Sequence, residues 1–413
     1  MRGASDKPRL LVLTSTFPRW SDDHEPPFVF ELARRLTDRF AVTVVAPHAP
    51  GAQRREQMDG VDVRRFRYAP DRFERLAYEG GIPDKLRRHP WLSLLAPFFL
   101  VAQLLAAYRL AKELGPTSVH AHWLITGGLI AALIRRFSRL PFRLLMTAHG
   151  ADVYGLRHPL LIRLKRWVLA HADHITVASE ALGEELLALG IDPGKVIVQG
   201  MGTDLKTLFV PGTPPPGPPT LVYAGRLVGK KGVDTLLRAC ILVRPAVPNL
   251  RVLIAGHGPD LPALEHQCSE LHIADMVSFT GPYALTTLPQ IYARAHLAVF
   301  PFRATADGDQ DGLGLAVVEA MGCGVPVVGS DIPVLDELLI DGTTALRAPA
   351  DDAQAFASAI QSALGDAAAS RQRATTAREL VAANYDWQQV ALRYAEILDP
   401  ESERDVPRPP AGN

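Results

Sequence analysis

From Arg9 onward, short unbroken apolar runs alternate with longer stretches in which apolar residues recur every three or four positions. Arg9–Thr14, Ala41–Ala46, Ser118–His122, Phe142–Ala148 and Ile175–Ala178 are the predicted strands of the first half. Phe28–Thr37, a long stretch running to Leu114, Gly127–Arg136, Arg157–His171 and Ala181–Leu189 are the predicted helices. Helices between such runs make βαβ units around a parallel sheet. The rhythm breaks at Pro211–Pro219, which reads PGTPPPGPP and suits neither a helix nor a central strand. It resumes with predicted strands at Thr220–Ala224, Leu250–Ala255, Val277–Thr280, Leu297–Phe300 and Pro326–Gly329, again with helices between. An amphipathic segment, Trp387–Leu398, closes the pattern, and residues 401–413 read as a disordered tail. The expectation is an α/β protein of two doubly wound domains, residues 1–210 and 218–384, hinged at the prolines. The helix at about 385–400 is expected to return to the first domain. Ligands of such sheets bind at the carboxyl ends of the strands, here expected in a cleft between the domains.

Composition agrees with two packed cores. Of 413 residues, 47% are hydrophobic and 21% charged, which excludes a disordered or fibrous chain. Basic and acidic residues balance at 44 each, so a globally basic nucleic-acid binder is not expected. The balance hides a division. Met1–Leu205 holds 28 basic and 21 acidic residues, a net of +7, and Lys206–Asn413 holds 16 and 23, a net of −7. Such asymmetry suggests domains with different partners. Three cysteines without a CxxC pair fit a reducing cytosol. No signal-peptide pattern follows Met1–Arg9, so a cytoplasmic location is expected. The membrane-like stretch Trp91–Leu110 is broken by Ser93, Pro97 and Gln103. It reads as a core helix, with contact to a membrane surface as the alternative.

The densest chemical signal lies at Asp311–Pro326. A glycine-rich turn, Gly312-Leu313-Gly314, leads into a helix whose first N–H groups are free to meet a phosphate. Asp311 precedes the turn, and Glu319 sits roughly 7 Å inside the helix, where a carboxylate can accept from paired hydroxyls. A second signal is Gly225-Arg226-Leu-Val-Gly-Lys230-Lys231-Gly232, a cationic loop after a strand. It is not a Walker A loop, because the glycine spacing differs and no Ser or Thr follows the lysine. At another strand end, Thr147-Ala-His149-Gly-Ala-Asp152 offers a histidine to a sugar hydroxyl or to developing charge. His120 and His122 share a strand face and read as structural. Asp307-Gly-Asp309 sits in a loose acidic run, and no metal site is expected from it.

These residues together resemble the retaining glycosyltransferases of family 4, with matching segments along nearly the whole chain. The segments are His120-Ala-His-Trp123, Thr147–Asp152, Gly200-Met-Gly-Thr-Asp204, Gly225–Gly232, Gly256-His-Gly-Pro259 and Asp311–Pro326. The last is that family's E-x7-E element, here with Asp311 as the first acid, which shortens its reach. Where many members carry a glycine-rich acceptor loop, this chain has Glu25-Pro-Pro-Phe28. The resemblance implies the GT-B fold, two Rossmann-like domains facing a central cleft. It implies that Arg226 and Lys231 grip the donor diphosphate, and that backbone N–H groups of Gly312, Leu313 and Gly314 hold the distal phosphate and sugar. It further implies that Glu319 binds the ribose, Asp311 the sugar hydroxyls, and that His149 reaches the donor sugar. Gly225 and Asp152 belong with the substrate-binding set. A nucleotide-sugar donor serves as co-substrate with no other cofactor, and the acceptor is a glycan or a lipid-linked sugar. The basic N-terminal half and Trp91–Leu110 suggest an anionic membrane surface as a further partner. A sugar-nucleotide epimerase or hydrolase of the same fold, or a nucleotide-sugar binding protein without turnover, remain the alternatives.

Overall fold

The computed structural model describes residues 7–20, 23, 25, 27–78, 81–155, 158–213, 216–306, 308 and 310–399. Asp307, Asp309 and the 401–413 tail therefore lie outside the described residues. The chain forms two compact units. The first comprises residues 1–178, 183–199 and 390 onward, and the second comprises 179–182 and 200–389.

The first unit is built on eight strands: β1 (Arg9–Leu13), β2 (Ala41–Pro47), β3 (Arg55–Met58), β4 (Val61–Phe66), β5 (Ser118–His122), β6 (Arg143–Ala148), β7 (His174–Val177) and β8 (Val196–Val198). Their order is β3-β4-β2-β1-β5-β6-β7-β8. All neighbours are parallel except the edge pair β3–β4. The β3–β4 hairpin turns at Asp59-Gly60, both at positive φ (45° and 84°), the backbone that an Asp-Gly pair favours. The second unit holds β9 (Thr220–Ala224), β10 (Arg251–Ala255), β11 (Val277–Gly281), β12 (Leu297–Phe300), β13 (Val327–Asp331) and β14 (Leu346–Pro349). Its order, β11-β10-β9-β12-β13-β14, is parallel throughout and is that of a dinucleotide-binding sheet. Strand order reverses between β1 and β5 in one unit and between β9 and β12 in the other, and ligand sites of such sheets open at these points.

The central strands are buried on both faces, so their polar side chains need partners within the fold. β5 is buried at all five positions although it reads Ser-Val-His-Ala-His. Ser118 Oγ donates to the carbonyl of Leu398 at 2.6 Å, and His120 Nε2 lies 2.7 Å from Thr147 Oγ1. The Leu398 bond joins the last helix, Trp387–Leu398, to the first sheet. Tyr394 on the same helix donates to the Gln199 carbonyl at 3.0 Å.

Two expectations change. The boundary falls at Gln199/Gly200, ahead of the proline run. Leu205 and Phe209 are fully buried in the second unit, and Arg378 donates to both of their carbonyls, so the segment before the prolines is part of that unit's core. The helix expected from Gly127 begins instead as a π-turn, Trp123–Gly128, which passes into Leu129–Ser138. There Trp123 takes φ +62°, and a Cβ on Gly127 would meet the carbonyl oxygens of His122 and Leu13 at 2.6 and 2.7 Å.

Candidate active site

In the second unit, the loop after β9 and the loop after β12 meet at the reversal of strand order. Gly225 N donates to the Ala255 carbonyl at 2.9 Å and Leu227 N to that of His257 at 2.9 Å. The loop after β10 lies so close to the loop after β9 that a Cβ on Gly256 would stand 1.8 Å from the Gly225 oxygen, and one on Gly258 2.1 Å from the Leu227 oxygen. The Gly256-His-Gly-Pro259 segment is thus a backbone seat for the cationic loop. Tyr223, buried in β9, donates its hydroxyl to the Arg226 carbonyl at 2.9 Å. From the other side, Arg303 fixes the turn Gly229–Lys231: its N–H donates to the Lys230 carbonyl at 2.9 Å and its Nε to that of Gly229 at 2.8 Å. Asp234 and Asp351 hold the rest of the Arg303 guanidinium.

That scaffold presents two lysines to one carboxylate. Lys231 donates to Asp311 Oδ2, and Lys230 Nζ lies 3.4 Å from Asp311 Oδ1. Lys231 Nζ also stands 3.9 Å from the centre of the Phe302 ring, a cation–π contact. Burial pushes the Asp311 carboxyl up, but Lys231 and Lys230 override it and hold it below the usual carboxylate range. Gly314 caps the following helix, Leu315–Gly322, at φ +82° with no side chain occupying the cap. Leu313 is buried beside it. The first N–H groups of this helix, its positive dipole end and two ammonium groups thus share one neighbourhood, an arrangement that suits a phosphate-bearing ligand. Glu319 is buried further along the helix, and burial pushes its carboxyl up to about 8 against the pull of Lys231.

In the first unit a second cluster forms at the carboxyl ends of β5 and β6. His122 Nδ1 lies 3.0 Å from His149 Nε2, with the rings stacked 5.3 Å apart. His120 lies against His122 with ring centres 4.1 Å apart and planes tilted by 40°, and it is tied through Thr147 to Thr176, the two threonine oxygens being 2.6 Å apart. Phe28 and Trp123 close on His149 at 5.1 and 4.6 Å between ring centres. Burial lowers the pKa of His120 and of His149 to about 3, and that of His122 well below its ordinary value. All three imidazoles are neutral at pH 7. Asp152 accepts from Leu124 N at 3.1 Å and His149 N at 3.0 Å, so its carboxylate fastens the two strand-end loops.

Of the residues singled out from sequence, Gly225, Arg226, Lys231, Asp311, Gly312, Leu313, Gly314 and Glu319 all belong to the second unit, and His149 and Asp152 to the first. Phe302, Tyr223 and Arg303 were missed. Phe302 and Arg303 follow β12, about 70 positions from the loop they support, and Tyr223, three residues before Arg226, reads only as an apolar position of its strand. His122 was read as structural, yet it touches the candidate residue His149 directly.

Comparison with known proteins follows the same division. Residues 27–202 match the glycosyl transferase 4-like domain, and residues 218–366 match glycosyl transferases group 1. A GDP-mannose-dependent alpha-(1-6)-phosphatidylinositol monomannoside mannosyltransferase of Mycobacterium tuberculosis is 33% identical over 94% of this chain and 98% of its own. A glycogen synthase of the same organism is 30% identical over 72% of this chain and 73% of its own. Among solved structures, a sucrose-phosphate synthase from Thermosynechococcus elongatus superposes with TM-score 0.78 at 22% identity, covering 95% of this chain and 98% of the other. Anabaena HepE in complex with UDP superposes with TM-score 0.70 at 18% identity, covering 94% and 99%. Two family domains in order and a relative aligned over almost the full length make this chain a member of the group 1 glycosyltransferases, family 4, of GT-B fold.

Proposed function

We propose that this glycosyltransferase moves a sugar from a nucleoside-diphosphate sugar to a glycan or lipid-linked acceptor, with retention of configuration and without a metal ion. The observation that carries the reading is the convergence of Lys230, Lys231 and Asp311 beside the Gly314 helix start. Glycosyl transfer passes through an oxocarbenium-like state while negative charge grows on the leaving group. Ammonium groups already fixed by Asp311, Phe302 and the Arg303-pinned turn need no reorganisation when that charge develops. In this reading Arg226 and Lys231 grip the diphosphate, and N–H groups around Gly312, Leu313 and Gly314 receive the distal phosphate. Glu319 takes the ribose hydroxyls, and Asp311 passes from its lysine partners to the hydroxyls of the sugar. Local cations supply the charge neutralisation that a divalent ion supplies elsewhere, which supports the metal-free reading. Retention follows the family resemblance, with same-face attack and the leaving phosphate as base. His149 is assigned to a hydroxyl of the transferred sugar, with His122 and Asp152 as its positioning residues. The mycobacterial mannosyltransferase supports a lipid-linked acceptor, and the UDP complex of HepE supports a nucleotide donor. Work at the cytoplasmic face of a membrane, in glycolipid or polysaccharide synthesis, completes the reading.

A thermal-shift panel of nucleotides and sugar nucleotides tests it. The true donor at 100 times its Kd stabilises by about 2.7 kcal/mol, and Lys231→Ala removes the shift. No shift with any nucleotide sugar, or full transfer activity in Lys231→Ala, overturns the reading.

A further inference from the structure

The first unit carries a surface that the chemistry above leaves unused. The helix Ala96–Leu114, entered through the turn Pro90–Leu95, is long and apolar enough to cross a membrane. One of its faces is committed to the fold. Phe99, Gln103, Ala107, Leu110 and Ala111 are buried, and Gln103 Nε2 donates to the Thr14 carbonyl at 3.3 Å. The opposite face is apolar and open: Trp91 is 50% exposed, Leu94 72%, Phe98 64%, Val101 56% and Leu105 49%. Their spacing of three and four residues draws one stripe along the helix. At about 100° per residue, Arg109 and Lys112 continue that stripe, each within about 45° of its centre. Beside this basic end opens a pocket of about 430 Å³ lined by Arg54, Arg55, Arg64, Arg65, Arg109 and Glu113. Asp62 answers Arg64 at 2.8 Å and Arg55 at 3.8 Å, and Glu56 answers Arg65 at 2.8 Å. With Glu113, three carboxylates face five guanidinium groups, and the pocket keeps an excess of positive charge.

We propose that this face docks on an anionic lipid bilayer. The helix lies in the plane of the surface, with the Trp91–Leu105 stripe at the boundary between headgroups and acyl chains. Arg54, Arg109 and Lys112 meet the lipid phosphates. Exposed apolar residues in line with cations are what such a surface demands, because neither attraction alone holds a protein there. A spanning helix would have to give up the Gln103 face, which is part of the core. The proposal deepens the lipid-acceptor reading and rests on it for its purpose, while binding to lipid is read separately from transfer.

Cosedimentation of the full chain with phosphatidylcholine vesicles, with and without about one-third phosphatidylglycerol, tests it at low and high salt. Binding is expected to the anionic vesicles at least about tenfold above the neutral ones, and to weaken as salt rises. Phe98→Glu with Val101→Glu abolishes binding while Tm and any donor-induced thermal shift stay unchanged. Arg109→Glu with Lys112→Glu loses only the preference for anionic lipid. Equal binding to neutral vesicles, no binding, or full binding by the Phe98/Val101 variant overturns the proposal. So does a dimer in solution that the Phe98→Glu change dissociates, since the stripe then belongs to a second copy. If no nucleotide sugar binds, the glycosyl-transfer reading fails and the vesicle result still stands or falls by itself.

Discussion

Lys231 gives its ammonium to the carboxylate of Asp311, 80 positions along the chain, while standing 3.9 Å from the centre of the Phe302 ring. The pair keeps this cation in place and also occupies it. In the proposed function a donor diphosphate shares Lys231 with Asp311, whose carboxyl is held ionised by the two lysines.

Removing that competitor separates binding from turnover. Asp311→Asn is expected to tighten binding of the free nucleoside diphosphate by up to about tenfold, or 1.4 kcal/mol, since Lys231 loses its counter-ion. Transfer is expected to fall by about 10²-fold, since a preorganised polar group is lost. Calorimetric titration and initial rates check the two effects. An unchanged diphosphate Kd contradicts the coupling.

Glu319 sets a pH dependence. Its folded pKa, raised to about 8 by burial, lies above the ordinary 4.5 of the unfolded chain. The folded protein therefore holds a proton that the unfolded chain releases, and the sign follows from linkage. This contribution to stability is complete below about pH 4.5, declines as pH rises, and is gone once pH passes through about 8. Glu319→Gln imitates the protonated acid and should flatten that decline in urea denaturation between pH 5 and 8. A variant with the wild-type slope assigns the dependence elsewhere.

The histidine cluster acts in the opposite direction. With folded values of about 3 for His120 and His149, protonation favours the unfolded chain, whose imidazoles titrate near 6.5. Their contribution is intact above about pH 6.5 and is lost as pH falls toward 3. Imidazole NMR signals of His120, His122 and His149 should stay unshifted from pH 8 to pH 5. A midpoint inside that window for any of the three refutes the neutral assignment.

Gly232 tests the seat of the lysine loop. It sits at φ +61°, and a Cβ there would stand 1.8 Å from the Pro301 carbonyl oxygen. Gly232→Ala is expected to cost about 3 kcal/mol, roughly 6–12 °C in Tm for a unit of this size. Calorimetry that finds no loss means that the loop relaxes freely.

Much of this protein is legible before any folding is considered. The buried parallel strands announce themselves as unbroken apolar runs, because a strand covered on both faces has no polar side to show. Thr220–Ala224 and Leu297–Phe300 were bounded correctly for that reason. The edge strand β3 and its neighbour β4 were missed, since a half-covered strand such as Arg55–Met58 carries charges, although its Asp59-Gly60 turn was a usable sign. Glycine-rich turns and cationic loops were also visible, because steric freedom and charge belong to local sequence. The division of charge between the halves pointed to a basic N-terminal surface, but not to the helix face and arginine pocket that present it. What the sequence could not decide is partnership. It left Lys231 and Asp311 with separate roles, left Phe302, Tyr223 and Arg303 unmarked, and set the domain boundary at the prolines rather than at Gln199. Contacts between loops 80 residues apart, and the burial that moves Glu319 to about 8, arise only when the sheet gathers its strand ends. Residue type and spacing supply the groups, and the packing around them determines which groups meet and which stay charged.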